Sequence, residues 1–110
     1  MLGPGPAKKI TVYVGEDVRH HGEPVYLAIL NYLFQQRVSG AIVTKGVAGF
    51  GPDHRLHTAR ILEVSENLPI KIEFIESAGK AEELMPKLLD MVGDGVVEAQ
   101  ETTILKSVGR

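Results

Sequence analysis

Apolar and polar residues alternate from Lys9 to Val14: Ile10, Val12 and Val14 share one face, and Lys9, Thr11 and Tyr13 the other. A period of two predicts a half-buried strand, because successive strand side chains point to opposite sides of a sheet. From Val25 to Arg37 the period lengthens. Val25, Ala28, Ile29, Tyr32 and Leu33 recur at helical spacing, and Leu27, Leu30 and Phe34 are expected to widen that stripe on a well-buried helix. Pro24 suits the first turn, where the amide it lacks would be unpaired anyway. Gly40, after Ser39, is the expected terminator, since a glycine takes the left-handed conformation that closes a helix. The β-branched run Ala41 to Ala48 predicts a second strand. Ile70 to Glu76 predicts a third, with Ile70, Ile72 and Phe74 opposed to Lys71, Glu73 and Ile75. Ser77 is placed to cap a second helix, in which Ala81, Leu84, Met85, Leu88 and Val92 fit the 3.6 period. Pro86 removes one internal hydrogen bond there and presses on the Glu82 carbonyl, so a bend or tight turn is expected. Gly93-Asp94-Gly95 closes the element, and Val96 to Leu105 reads as a last strand of weak, polar pattern.

Each helix thus lies between two strands. Crossovers of one hand put both helices on the same side of the sheet. The expected class is α+β with a ferredoxin-like βαββαβ order, a four-stranded antiparallel sheet with two helices on one face. The other face would carry Lys9, Thr11, Tyr13, Lys71, Glu73 and Ile75, too mixed for a second core and too apolar to need only water. A wet interface between subunits explains such a face. Residues 1–8, with Gly3-Pro4 and Gly5-Pro6, are expected to be a flexible tail, 9–105 the domain, and 106–110 a short basic tail. Between the second and third strands lies a loop of about residues 50–67, longer than the ~12 to 15 residues that connections in compact domains commonly reach, which points to function. In the bland alternative Ile61, Leu62 and Val64 simply lengthen a hairpin.

Composition narrows the chemistry. A chain of 110 residues is one domain with little spare core, so self-association would help it. The formal charge of −2 and the scarcity of aromatics, with no Trp, argue against a nucleic-acid or anionic-membrane binder. The chain has no cysteine, which excludes disulfides, thiolate chemistry and cysteine-based zinc sites. No apolar run approaches the roughly 20 residues of a membrane span, and the N-terminus lacks a secretion-signal layout, so a cytoplasmic protein without direct membrane insertion is expected.

Positive charge concentrates in one place, the segment KGVAGFGPDHRLHTAR from Lys45 to Arg60. Gly46, Gly49 and Gly51 allow close backbone approach, and His54, Arg55, His57 and Arg60 follow with Asp53 the only acid. The combination points to a local anion site. His20-His21 and His54-x-x-His57, the latter at a helical spacing, could join Glu16, Asp17 or Glu23 as metal ligands, but two histidines are half a site. No catalytic constellation can be singled out, and no enzymatic activity is expected. A phosphate-holding enzyme loop would put its glycines after the first strand, whereas here they follow the second. Lys45 could bridge to Glu73 as a strand-face lysine, or contact phosphate at the mouth of a cleft. Tyr26 could be a packed ring or a contact at a neighbouring subunit.

With these motifs in order, the chain resembles the PII-like family of small trimeric signalling proteins, from Lys9 to about Leu105. KGVAGFG is similar to the segment that opens the family's long mobile T-loop, LPIKIEF (Leu68 to Phe74) to the strand that closes it, and VGDGVV (Val92 to Val97) to the B-loop. The GED, Glu-Pro-x-Tyr and AGFG stretches at Gly15 to Asp17, Glu23 to Tyr26 and Ala48 to Gly51 most resemble a prokaryotic subfamily catalogued as a domain of unknown function. The resemblance implies a homotrimer binding an adenine nucleotide between subunits, in a site that includes Lys45 and Gly46, with Gly49, Phe50 and Gly51 lining the nucleoside end, Gly93, Asp94 and Gly95 offering amides near the phosphates, and Lys45 a phosphate contact at the cleft mouth. It also implies a partner reached through His54, Arg55, His57 and Arg60, by family analogy a membrane transporter or channel, and no required cofactor. Val96 stands where the family places a phosphate-binding lysine, and the family's paired arginines are missing, with Lys106 and Arg110 as substitutes. Fewer cations favour AMP, ADP or cyclic AMP over ATP, since each lost charge-assisted bond costs about 1.5 to 3 kcal/mol. The alternative is a trimeric metal-binding protein similar to the CutA-type cation-tolerance family, using His20, His21, His54 and His57.

Overall fold

The computed structural model describes residues 2–51, 54–58 and 68–108. Its main strands are β1 (Gly5–Gly15), β2 (Ala41–Lys45), β3 (Pro69–Glu76) and β4 (Gly95–Ile104), and its helices are α1 (Val25–Gln35) and α2 (Ala78–Met91). The sheet order is β2-β3-β1-β4 with every neighbouring pair antiparallel, the ferredoxin-like arrangement expected from the alternating periods. Two-residue ladders also join Arg19–His20 to Glu23–Pro24 and Ala48–Gly49 to His57–Thr58.

Both helices lie against one sheet face. Ile10, Val12 and Val14 of β1 and Ile70, Ile72 and Phe74 of β3 meet Val25, Ala28, Ile29, Tyr32 and Leu33 of α1 and Ala81, Leu84, Leu88 and Met91 of α2. Tyr32 is buried with the rest, and its hydroxyl donates to the Leu84 carbonyl at 3.3 Å, which satisfies the one polar atom it carries inside. Burial pushes the Tyr32 hydroxyl pKa above its ordinary value.

Several boundaries differ from the sequence-based expectation. β1 begins at Gly5 rather than Lys9, so residues 5–8 belong to the sheet and not to the expected tail, and Ala7 is buried. There β1 extends beyond β3 and pairs with β4 alone, Pro6 opposite Thr103. A proline is tolerated on such an edge because no ladder bond is asked of its missing amide. β2 ends at Lys45 rather than Ala48, and β4 spans Gly95 to Ile104 rather than Val96 to Leu105.

α1 stops before Gly40. Arg37 takes the left-handed conformation at φ 59°, with its N–H donating to the Phe34 carbonyl at 3.1 Å and the Val38 N–H to that of Leu33 at 3.1 Å. This is a Schellman closure with arginine where glycine is usual. Replacing Arg37 by glycine is expected to stabilise the fold by about 0.5 to 1 kcal/mol, because it removes the Cβ conflict of a left-handed residue; urea denaturation checks this, with a midpoint at or below wild type as the contrary result. Leu27 and Phe34 do not widen the buried stripe. They are 40% and 83% exposed, because a helix lying on a sheet buries one side and these residues fall outside it.

Ser77 caps α2 as expected, its hydroxyl accepting from the Lys80 N–H at 3.4 Å. The helix then runs through Pro86 without an intervening turn, which corrects the expectation of a tight turn there. Pro86 and Glu82 both face solvent, so water can reach the carbonyl that loses its partner. Before α2, the buried Glu76 accepts from the backbone N–H of Ser39 at 3.0 Å and of Ser77 at 3.3 Å, tying the β2 entry to the helix start.

Candidate functional site

The glycine segment leaves β2 at a point of close contact. The Gly46 N–H donates to the Pro69 carbonyl at 2.8 Å, prolonging the β2–β3 ladder by one bond. A Cβ at Gly46 would stand 2.8 Å from Pro69 Cγ, and one at Gly49 would stand 3.1 Å from the same atom. Pro69 is thus the floor on which both glycines lie. Pro69 itself is partnered by Gly15 of β1. At the far edge of the sheet, Gly95 opens β4 opposite Val14. A Cβ there would run into the Tyr13 carbonyl oxygen, so only glycine lets the Gly93-Asp94-Gly95 turn enter the sheet.

The two glycine turns therefore share one end of the sheet and occupy its opposite edges. With strands about 4.8 Å apart, three spacings separate them by about 14 Å. Gly93 and Asp94 are exposed, and nothing would meet a Cβ at Gly93 or Gly51 within 4 Å. A cleft of about 300 Å³ among the described residues lies at the other end of the sheet, lined by Pro6, Ala7, Lys8, Ala78 and residues 101–103.

Beyond Gly49, Phe50 is 62% exposed, and its ring lies 5.3 Å from that of His54. His54 adopts φ 56°, and its N–H donates to the Gly51 carbonyl at 2.9 Å, closing a turn. His57 sits in the short ladder with Gly49, so His54 and His57 are not at a helical spacing as expected. Arg55 is exposed, while Asp53, Arg60, Ile61, Leu62 and Val64 lie outside the described residues, as does Arg110.

Lys45 does not bridge to Glu73. It pairs with Ile70, so its side chain leaves the sheet on the helix face, whereas Glu73 is on the other. Its ammonium instead meets Glu16 Oε2 at 2.7 Å. Glu16 follows β1, where its N–H donates to the Leu68 carbonyl at 3.0 Å. The bridge thus spans β3 from one side of Leu68-Pro69 to the other. Glu16 Oε1 is buried and has no hydrogen-bond partner among the described residues. In the sequence Glu16 stood out as part of the GED stretch and as a possible metal ligand, and neither this pairing nor the part played by Pro69 was expected. The alternation of β1 held the missing signal, since residues 14 and 16 share a face.

The open sheet face carries the expected residues, Lys9 opposite Ile75, Thr11 opposite Glu73 and Tyr13 opposite Lys71. Lys9 and Lys71 approach the Glu73 carboxylate at 3.3 and 3.6 Å, and the Lys9 hydrogen bond chiefly holds its pKa below the ordinary carboxylate range. Ile42 and Val96 extend this face and are 63% and 48% exposed. For the metal alternative, His20 and His21 stack edge to face at 4.3 Å, but no group of three or more potential ligands occurs among the described residues. Nor is any helix among them long and apolar enough to cross a membrane.

The DUF190 family model, described as "Uncharacterized ACR, COG1993", matches residues 7–104. A UPF0166 protein of Methanocaldococcus jannaschii is 31% identical over 86 residues, covering 78% of this chain and 79% of that protein. Among solved structures, CPII of Thiomonas intermedia K12, a nitrogen regulatory PII-like protein bound to ADP, AMP and bicarbonate, superposes with a TM-score of 0.65 at 17% identity, covering 96% of this chain and 94% of that one. A putative PII-like signaling protein of Thermus thermophilus gives 0.66 at 11% identity, covering 94% and 93%. At these identities the likeness is one of fold, and the fold is PII-like.

Proposed function

We propose that this chain, which belongs to the DUF190 family, is a non-enzymatic, cytoplasmic PII-like regulator that binds an adenine nucleotide between the subunits of a homotrimer. The observation that carries this reading is the placement of the two glycine turns. They stand at one end of the sheet but at its opposite edges, about 14 Å apart across two intervening strands, so within one protomer each stands as a separate wall. A neighbour packed against the open sheet face would bring its Gly93-Asp94-Gly95 turn to Gly46, Gly49, Phe50 and Gly51, and that half-apolar face suits burial between copies. Successive amides in glycine turns form anion-binding concavities without net charge. The ADP and AMP bound to CPII support an adenine nucleotide as the ligand class.

AMP and ADP are favoured over ATP, because Val96 supplies no cation beside the phosphates. The segment of about residues 50–67, with His54, Arg55, His57 and Arg60, is the element that would report the bound state to a protein partner, by family analogy a membrane transporter or channel. Calorimetric titration with AMP, ADP, cyclic AMP and ATP tests the reading. Saturable heat is expected, strongest for AMP or ADP, whereas no heat from any of them at millimolar ligand overturns it.

A further inference from the structure

We infer that Glu16 sets the charge preference of the nucleotide site by neutralising Lys45, so that the site selects ligands with few phosphate charges. The inference rests on the nucleotide-binding reading above and adds a residue that reading does not use. Lys45 is the last residue of β2, immediately before Gly46, and it is the cation closest in sequence to the glycine segment. Its ammonium is fixed on Glu16 Oε2 at 2.7 Å.

The two partners are unequal. The Lys45 side chain is 45% exposed and that of Glu16 only 19%. An ammonium has three donors, so contact with Glu16 leaves others for a ligand oxygen. In its field, however, the pair is neutral. A polyphosphate approaching Lys45 meets the carboxylate as well, and each added phosphate charge is repelled by the one group that also holds the lysine. A monophosphate, or a diphosphate turned toward the Gly-Asp-Gly amides, avoids most of this cost. Nor can Glu16 readily step aside. Its side chain is only 19% exposed, and its backbone N–H is engaged with Leu68. Losing Lys45 to a ligand would leave a mostly buried carboxylate uncompensated, which is costly.

The experiment is calorimetric titration of the full chain with AMP and with ATP, in the wild type and in two variants, at fixed ionic strength. Glu16→Gln keeps the size and an acceptor for Lys45 but removes the negative charge. Because ATP carries about two more charges than AMP, the ratio of the ATP to the AMP dissociation constant is expected to fall by about tenfold. Lys45→Gln leaves Glu16 charged and is expected to raise the same ratio, and it serves as the readout should Glu16→Gln fail to fold. A purely structural bridge would weaken both nucleotides alike and leave the ratio unchanged. A ratio within twofold of wild type in the folded variants overturns the assignment while leaving nucleotide binding intact. Absence of heat from both nucleotides in the wild type overturns the underlying reading, and the assignment with it.

Discussion

Replacing Gly95 by valine is expected to lower the thermal midpoint by about 10 °C and to abolish the proposed nucleotide binding. A Cβ at this position would be driven into the carbonyl oxygen of Tyr13, which is backbone of the adjoining central strand, with Val14 Cγ1 at 3.0 Å and Val92 Cγ1 at 3.1 Å on other sides. Side chains could yield by rotating, but the Tyr13 carbonyl is fixed by a strand paired on both edges. Relief must come from moving the start of β4 away, which opens the Val14–Gly95 pair and displaces the Gly-Asp-Gly turn. Overpacking of this kind costs about 3 kcal/mol, equivalent to about 10 °C for a domain of this size. Valine at Gly93, where nothing lies within 4 Å, is the control, with a midpoint near wild type. Scanning calorimetry of both variants gives the comparison, and equal midpoints would show that Gly95 is not the point of close approach.

Gly46→Ala is expected to destabilise the fold by about 1 to 3 kcal/mol, and Pro69→Ala in the same chain to restore most of the loss. The added Cβ would stand 2.8 Å from Pro69 Cγ, a ring atom that can shift only by a change of pucker and that alanine lacks. Because the Gly46 N–H is also bonded to the Pro69 carbonyl, the strain cannot be relieved by parting the strands without losing that bond. A double-mutant cycle by urea denaturation reads the coupling. Additive effects of the two substitutions would place the strain of Gly46→Ala somewhere other than Pro69. Since Gly49 lies on the same proline, at 3.1 Å for its own Cβ, the cycle also tests whether this residue supports the base of the long loop.

The sequence carried the core clearly. Each of Val25, Ala28, Ile29, Tyr32 and Leu33 is buried, as are Ile10, Val12 and Val14 and, across from them, Ile70, Ile72 and Phe74, because an amphipathic period states directly which side faces inward. Where the outcome depended on which elements lie side by side, local pattern was silent. Leu27 and Phe34 are as apolar as their neighbours, and only the helix's seat on the sheet leaves them exposed. Arg37 rather than Gly40 closes α1, because the turn is set by where Val38 and Glu76 anchor the chain and not by the nearest glycine. Residues 5–8 joined β1 because β4 is long enough to pair with them, a property of a segment about ninety residues away.

The candidate site divides in the same way. Gly46, Gly49 and Gly51 were singled out for close approach to a ligand; Gly46, Gly49 and Gly95 are each pressed against another part of the chain, whereas nothing lies within 4 Å of a Cβ at Gly51. What the pressed glycines meet was not recognisable, since neither Pro69 nor Tyr13 is near in sequence. Lys45 was singled out with the wrong carboxylate. Strand position alone matched it to Glu73, but the register puts Lys45 opposite Ile70 and turns it toward Glu16. That displacement moves the ion pair from the open sheet face to the end of the sheet beside the glycine segment.

The placement of a nucleotide between subunits is tested most directly by a crystal structure of the chain grown with ADP. The expected result is a trimer with the nucleoside against Gly49 and Phe50 of one subunit and its phosphates at Gly93, Asp94 and Gly95 of the next. ADP held by one protomer alone, or bound away from both glycine turns, would contradict it.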